Sequence, residues 1–177
     1  MNRRVTLALA TIGLLTATAA MQLGDAFAQQ KQKVSYKTLP ANTKYPQQHI
    51  IQAGDAPGHE IRVYELHRTF PGDAPVINGV KLKETVTWGM SDYTENSGTV
   101  TNYTAYVLED GDKFFARSTT LSQSAGGGKI TTASVGTITG GTGKLTGIRG
   151  TTRATGSADP KAGINENATE IEYWIVR

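Results

Sequence analysis

From His49 onward the chain runs in short stretches of alternating apolar and polar residues, rich in Val, Ile, Thr and aromatics and separated by clusters of Gly, Asp, Asn and Pro. The clearest alternation sets Val80, Leu82, Glu84, Val86, Trp88 and Met90 against Lys81, Lys83, Thr85, Thr87 and Gly89, which predicts a strand with one inward, apolar face. Similar patterns predict strands around residues 49–53, 60–70, 99–109, 113–122, 129–139, 143–156 and 169–176. Turn signals fall between them at Pro71-Gly72-Asp73, Asn78-Gly79, Asn96-Ser97-Gly98, Glu109-Asp110-Gly111-Asp112 and Gly126-Gly127-Gly128. No segment sustains a helical period. About eight strands in a chain of this size can close into a small antiparallel barrel, which removes exposed edges and leaves an interior for side chains or one small ligand. A two-sheet sandwich is the alternative. The series Gly136, Gly140, Gly141, Gly143, Gly147, Gly150 and Gly156 favours the barrel, because glycine serves tight corners and close backbone approaches in a coiled sheet.

The segment ahead of this pattern changes the picture at one end. Arg3 and Arg4, an apolar run from Val5 to Met21, and Ala26-Phe27-Ala28 before Gln29 have the layout of an export signal. Cleavage after Ala28 and delivery to a periplasm or the medium are expected. The apolar run is short, is broken by Thr11, Thr16 and Thr18, and has no successor, so no stable membrane span is expected. Gln29 to Gln48 is polar, with Lys31, Lys33, Lys37 and Lys44 and little periodicity, and reads as a flexible leader. The expected organisation is therefore a signal peptide over 1–28, a leader over 29–48 and one all-β domain over 49–177.

Removing 28 of 177 residues leaves 149, enough for one domain with its own core. The same cleavage takes 18 basic residues to 16 and 15 acidic to 14, so the net charge falls from +3 to +2. That is too mild for a nucleic-acid binder, and no Lys/Arg run forms a phosphate-tracking stripe. The chain has no cysteine, which excludes disulfides, thiolate metal sites and thiol nucleophiles.

The candidate chemistry centres on Val63-Tyr64-Glu65-Leu66-His67. By strand alternation Glu65 shares its face with Ile61 and Val63, which places a carboxylate toward an apolar interior unless the parity is reversed. Glu84 shares the apolar face of its own strand and is expected at the barrel mouth, since charged residues are rarely buried without a partner. His59 and His67 flank Glu65 with the same parity, but eight residues at about 3.3 Å each separate them too far to share a metal ion. Gly143-Lys144 fails as a phosphate loop, because Ile138 stands where the first glycine belongs and Leu145 where Ser or Thr belongs. Gly141-Thr142-Gly143 lacks the third glycine and the helix of a dinucleotide fingerprint, and no serine sits in a nucleophile-elbow context. The aromatics Trp88, Tyr106, Phe114 and Trp174 are expected in the core or lining a cavity.

Three motifs carry a family resemblance: Val63-Tyr64-Glu65 opening a strand with Ala74-Pro75 in the turn after it; Tyr103, Tyr106 and Phe114-Phe115 beside an Asp-Gly-Asp turn; and Ile138-Thr139-Gly140-Gly141-Thr142-Gly143 running on to Gly150. Over roughly residues 61–156 the chain resembles the allene oxide cyclases and, more loosely, the dirigent proteins. The resemblance implies a small eight-stranded antiparallel barrel with a ligand cavity, no cofactor and no metal, and assembly into a homotrimer through the barrel exterior. It implies that Glu65 stabilises developing positive charge as a reactive epoxide opens. His67 stands where the family has an asparagine, and Ala74-Pro75 where it has Ser-Pro, so two ligands of the family's water are changed. An imidazole beside Glu65 is able to change charge near neutral pH and to pair with it. On this basis Glu65 and His67 are the catalytic candidates, and Pro75, Glu84, Trp88, Tyr106 and Phe114 the substrate-binding ones. The expected function is an exported barrel holding a small apolar or amphipathic molecule, either as a cofactor-free cyclase or isomerase or as a non-catalytic binding or cell-envelope scaffold.

Overall fold

A computed structural model describes residues 30–159, 162 and 164–176, so the expected signal peptide lies outside the described residues. Ten strands follow in order: β1 Gln32–Thr38, β2 Thr43–Gln52, β3 His59–Thr69, β4 Val76–Ile77, β5 Val80–Thr94, β6 Ser97–Leu108, β7 Lys113–Gly126, β8 Lys129–Gly141, β9 Ile148–Asp159 and β10 Ile164–Ile175. They form one antiparallel sheet in the order β1-β10-β9-β8-β7-β6-β5-β3-β2, with β4 added to β5. Among the described residues no helix is long and apolar enough to cross a membrane. The eight expected strands are all present, apart from shifts at their ends. Residues Gly143–Leu145 form a 3-10 turn instead of the start of a strand. Lys144 anchors that turn on the preceding hairpin, its backbone N–H donating to Asp112 (2.9 Å) and its ammonium to Asp110 (3.0 Å).

Two expectations are corrected. The segment read as a flexible leader is ordered: Gln32–Thr38 pairs with β10, and Thr43–Gln52 pairs with β3. Its alternation of Val34, Tyr36 and Thr38 is only three residues deep, too short to stand out beside the lysines. The sheet, moreover, is rolled but not closed, because β1 and β2 at its two ends share no ladder. Pro46 lies within β2, where the register with β3 shifts between Lys44 and Gln47, and a residue without an N–H is tolerated at an edge but not in mid-sheet. Side chains hold the seam instead. Asn165 of β10 donates to the Tyr45 hydroxyl of β2 (2.7 Å) and accepts from Arg68 of β3 (3.2 Å). Tyr36 of β1 packs edge-on against Phe70 just beyond β3.

Apolar packing is concentrated at one end of the roll. Ile77, Leu82, Leu108, Phe114, Ile138, Leu145, Ile148, Ile171 and Tyr173 are almost fully buried there, with Tyr106 stacked on Phe114 at 4.2 Å between ring centres. Beyond this plug the inward side chains become small and polar. The change is made in β5, whose register against β6 shifts between Leu82 and Glu84. Leu82 points inward, and after the bulge Thr85, Thr87, Gly89, Ser91 and Tyr93 do, while Trp88 and Met90 are exposed outside. A single extra residue reverses every side chain that follows it. The face predicted to be apolar and inward is therefore inward only up to Leu82.

Away from the plug, His59 at the start of β3 pins the loop before it to β5. Its Nδ1 pairs with Asp55 and its Nε2 with Asp92 at 2.9 Å. The hydrogen bond to Asp55, followed by that to Asp92, raises the His59 pKa, and the same His59 bond lowers that of Asp55. The raised imidazole contributes stability in full below its unfolded pKa, near 6.5, and loses it as pH rises through the folded value. The depressed carboxylate contributes above its unfolded pKa and loses that as pH falls through the folded value. Melting temperature is therefore expected to fall on the alkaline side of about pH 6.5, and a His59→Gln variant is expected to lack that fall when thermal scans are run from pH 4 to 9.

Candidate functional site

Above the plug the rolled sheet encloses a cavity of about 660 Å³, lined from all nine strands of the main path. Its wall is mostly hydroxyl and amide: Thr85 and Thr87 of β5, Asn102 and Thr104 of β6, Ser118 and Thr120 of β7, Thr132 and Ser134 of β8, and Thr152 of β9. Paired strands bring these groups into rows. The Thr87 and Thr104 hydroxyls lie 2.9 Å apart, and the Tyr64 hydroxyl donates to Asn102 Oδ1 (2.7 Å), whose Nδ2 donates to Thr120 (3.2 Å). Tyr64, Gly89, Asn102 and Ser118 are register partners across β3, β5, β6 and β7, so the Tyr64 side chain must pass over β5 to reach Asn102. Gly89 permits this, since a methyl group there would overlap the Tyr64 ring and the Asn102 oxygen.

The side of β3 that faces the cavity carries Glu60, Arg62, Tyr64, Leu66 and Arg68. The Arg62 guanidinium lies over the rings of Tyr45 (5.7 Å) and Tyr64 (5.1 Å) and donates to Gln48 (3.3 Å). Arg68 lies deeper, within electrostatic range of Tyr36, Tyr64 and Tyr106. Burial pushes the Tyr36 hydroxyl up to about 12, against the opposing pulls of the Thr169 hydrogen bond and the Arg68 charge. Burial likewise raises Tyr64 and Tyr106, with neighbouring Tyr45 and Tyr36 adding to the respective shifts. All three phenols therefore remain neutral hydrogen-bonding groups at neutral pH.

The sequence-derived site is largely elsewhere. Glu65 and His67 belong to the other face of β3 and do not line the cavity, so the inward orientation assigned to Glu65 is corrected. On that outer face the Glu65 carboxylate accepts from the His67 imidazole (2.6 Å) and from the Trp88 indole N–H (3.0 Å). The carboxylate and the imidazole do pair, but outside the lumen. Trp88 is on the exterior, tilted against Tyr103, which stacks on Phe115. Phe114 is part of the plug, Pro75 is buried beside it at the start of the β4 hairpin, and half-buried Glu84 sits at the β5 bulge outside the cavity lining. Only Tyr106 of the candidates reaches the cavity wall, where it forms part of the floor. Sequence reasoning missed Arg62, Tyr64, Arg68, Asn102 and the threonine rows. The available signal was the recurrence of small polar residues in one phase of successive strands, since charged residues usually mark the solvent face and small hydroxyls need not.

No protein-family model and no curated protein matches the chain. Among solved structures it is similar to the pterocarpan synthase dirigent protein GePTS1, at 14% identity over 95% of this chain and 100% of that one, with a TM-score of 0.46. It is also similar to a pyocyanin demethylase, at 15% identity over 81% of this chain and 99% of that one, with a TM-score of 0.37.

The passage of Tyr64 over Gly89 can be tested directly. Gly89→Val is expected to destabilise the protein by about 1–3 kcal/mol, the usual cost of overpacking, in urea unfolding. Part of that loss is expected to return in the Gly89→Val, Tyr64→Ala double variant, because the clash is between those two positions.

Proposed function

We propose that this chain is an exported binding protein whose rolled sheet takes one small amphipathic molecule into its lumen. The observation that carries this reading is the 660 Å³ cavity itself, a size ordinarily associated with small-molecule sites, with tyrosine rings and hydroxyl rows converging on one space. In this reading the resemblance to the allene oxide cyclases and dirigent proteins extends to the use of the lumen and not to the glutamate, because Glu65 is turned to the exterior. A purely apolar ligand is disfavoured, since it would displace water from Thr, Ser and Asn groups without replacing their hydrogen bonds. Ser134 faces open space in this wall. The neutral naphthalene dye prodan is expected to gain fluorescence on binding the wild type. Ser134→Trp, which fills the lumen, is expected to weaken that binding at least about tenfold while the far-ultraviolet circular dichroism stays unchanged; equal binding by both proteins would place the dye elsewhere.

We also propose that the exterior serves self-association, as the resemblance to trimeric barrels implies. Val63 and Met90, register partners on the outer face of β3 and β5, are each about half exposed, at 52%. Trp88 and Tyr103 continue the apolar row beside them. Outward apolar side chains in contiguous rows are the pattern of an interface rather than of scattered surface residues. Light scattering coupled to size exclusion is expected to give a multiple of the monomer mass for the wild type and a smaller species for Met90→Glu.

A further inference from the structure

Four acidic or basic side chains, Glu60, Arg62, Arg68 and Glu166, line the lumen, and their arrangement is uneven. Glu60 lies at the far end of β3, eight residues from Arg68, which is about 26 Å along an extended strand. Glu166 accepts from the Ser157 hydroxyl (3.0 Å). Neither arginine has a carboxylate within ion-pair distance among the described residues; each instead donates to one amide oxygen, Arg62 to Gln48 and Arg68 to Asn165. The Nε atom of each is fully buried with no hydrogen-bond partner.

Such a group is costly to maintain. An unsatisfied buried donor on a charged side chain costs more than one on a neutral side chain, and interior charges are ordinarily paired. Arg68 bonds Asn165 across the seam, but that bond to a neutral amide leaves its charge without a counter-ion. We propose that Arg68 is the anion-recognition element of the lumen, and that its ligand is a small aromatic carboxylate. This rests on the reading of the lumen as a ligand site and adds the charge and class of the occupant.

Three features select that class. The two terminal nitrogens of a guanidinium present N–H donors that match a carboxylate end-on, whereas Nε, fully buried, has no surface open to the lumen. Arg68 is a single positive charge at the floor, flanked by the neutral phenols of Tyr36 and Tyr106, which suits a monoanion better than a phosphate dianion. Tyr36, Tyr45, Tyr64 and Tyr106 supply flat surfaces along the cavity, whereas its aliphatic lining is limited to Pro40, Leu66, Val100, Ile130, Ile164 and small alanines. An alkyl chain would therefore lie against hydroxyls, while a ring can stack on rings and meet polar groups at its edge.

The test uses the whole chain and three probes in calorimetric titration: 2-naphthoate, the uncharged 2-naphthalenemethanol, and octanoate. The expected result is that naphthoate binds at least about tenfold more tightly than either of the others, the scale of a charge-assisted hydrogen-bonded pair. Arg68→Gln is expected to abolish the preference for naphthoate over the alcohol. Saturating naphthoate is expected to raise the melting temperature of the wild type and not of the variant. Equal or tighter binding of the alcohol by wild type overturns the anion assignment while leaving the lumen as a ligand site. Octanoate matching naphthoate overturns the aromatic part. Failure of all three probes while prodan still binds overturns this inference alone, and failure of prodan as well removes the reading beneath it. Should Arg68→Gln not melt cooperatively, the wild-type ratio of naphthoate to alcohol decides the matter.

Discussion

The register shift at Lys83 in β5 is the constraint on which the rest of this structure depends. Below it Leu82 joins the apolar plug; above it Thr85 and Thr87 enter the lumen and Trp88 and Met90 leave it. Without the extra residue the tryptophan and methionine would fill the interior, and the threonines would face water. The roll would then have a continuous core and no cavity of this kind. A second irregularity, between Phe115 and Ala116 in the β7–β8 register, lies within the plug, where Phe114, Ala116 and Ile138 are all buried. Bulges at this level let one strand serve a dry end and a wet end with different side-chain phases.

This division separates what folds the protein from what it is proposed to bind. Fully burying one large aliphatic or aromatic side chain is worth about 1.5–3 kcal/mol, so a plug containing Leu82, Leu108, Phe114, Ile138 and Ile171 can offset an unpaired guanidinium elsewhere. The lumen contributes through hydrogen bonds such as Tyr64–Asn102–Thr120, each of small net value but costly to leave half made. Stability is therefore concentrated at one end. The other end is free to hold groups chosen for recognition.

Most strand positions were legible because alternation and Gly, Asn and Asp turns are local signals. Orientation was not, because parity must be counted from a fixed point and a bulge changes it without a strong sequence mark. The placement of Glu65 failed for a related reason. Ile61 and Val63 were taken as inward because they are apolar, yet Val63 is exposed and the alternate set with Arg62, Tyr64 and Arg68 lines the lumen. In a sheet with an apolar exterior and a polar interior, hydrophobicity points the wrong way along much of each strand. The leader was misjudged on composition, since lysines mask a short alternating strand whose partner, β10, is more than a hundred residues away.

The same inversion bears on the seam. In a closed barrel each strand is held on both sides by main-chain bonds, whereas β1 and β2 are each held on one side only, and side chains link β10 to β2 and β3 and β1 to Phe70. Asn165 is the pivotal bridge, bonded at once to Tyr45 and to Arg68. The guanidinium proposed to meet the ligand is thus also one of the groups joining the two edges of the sheet. An anion that engages the terminal nitrogens of Arg68 fixes the same side chain that bonds Asn165 across the seam. Binding and closure then act on one residue, and tightening either restricts the other. That coupling follows from a sheet whose edge strand carries Pro46 and whose last link is made by side chains.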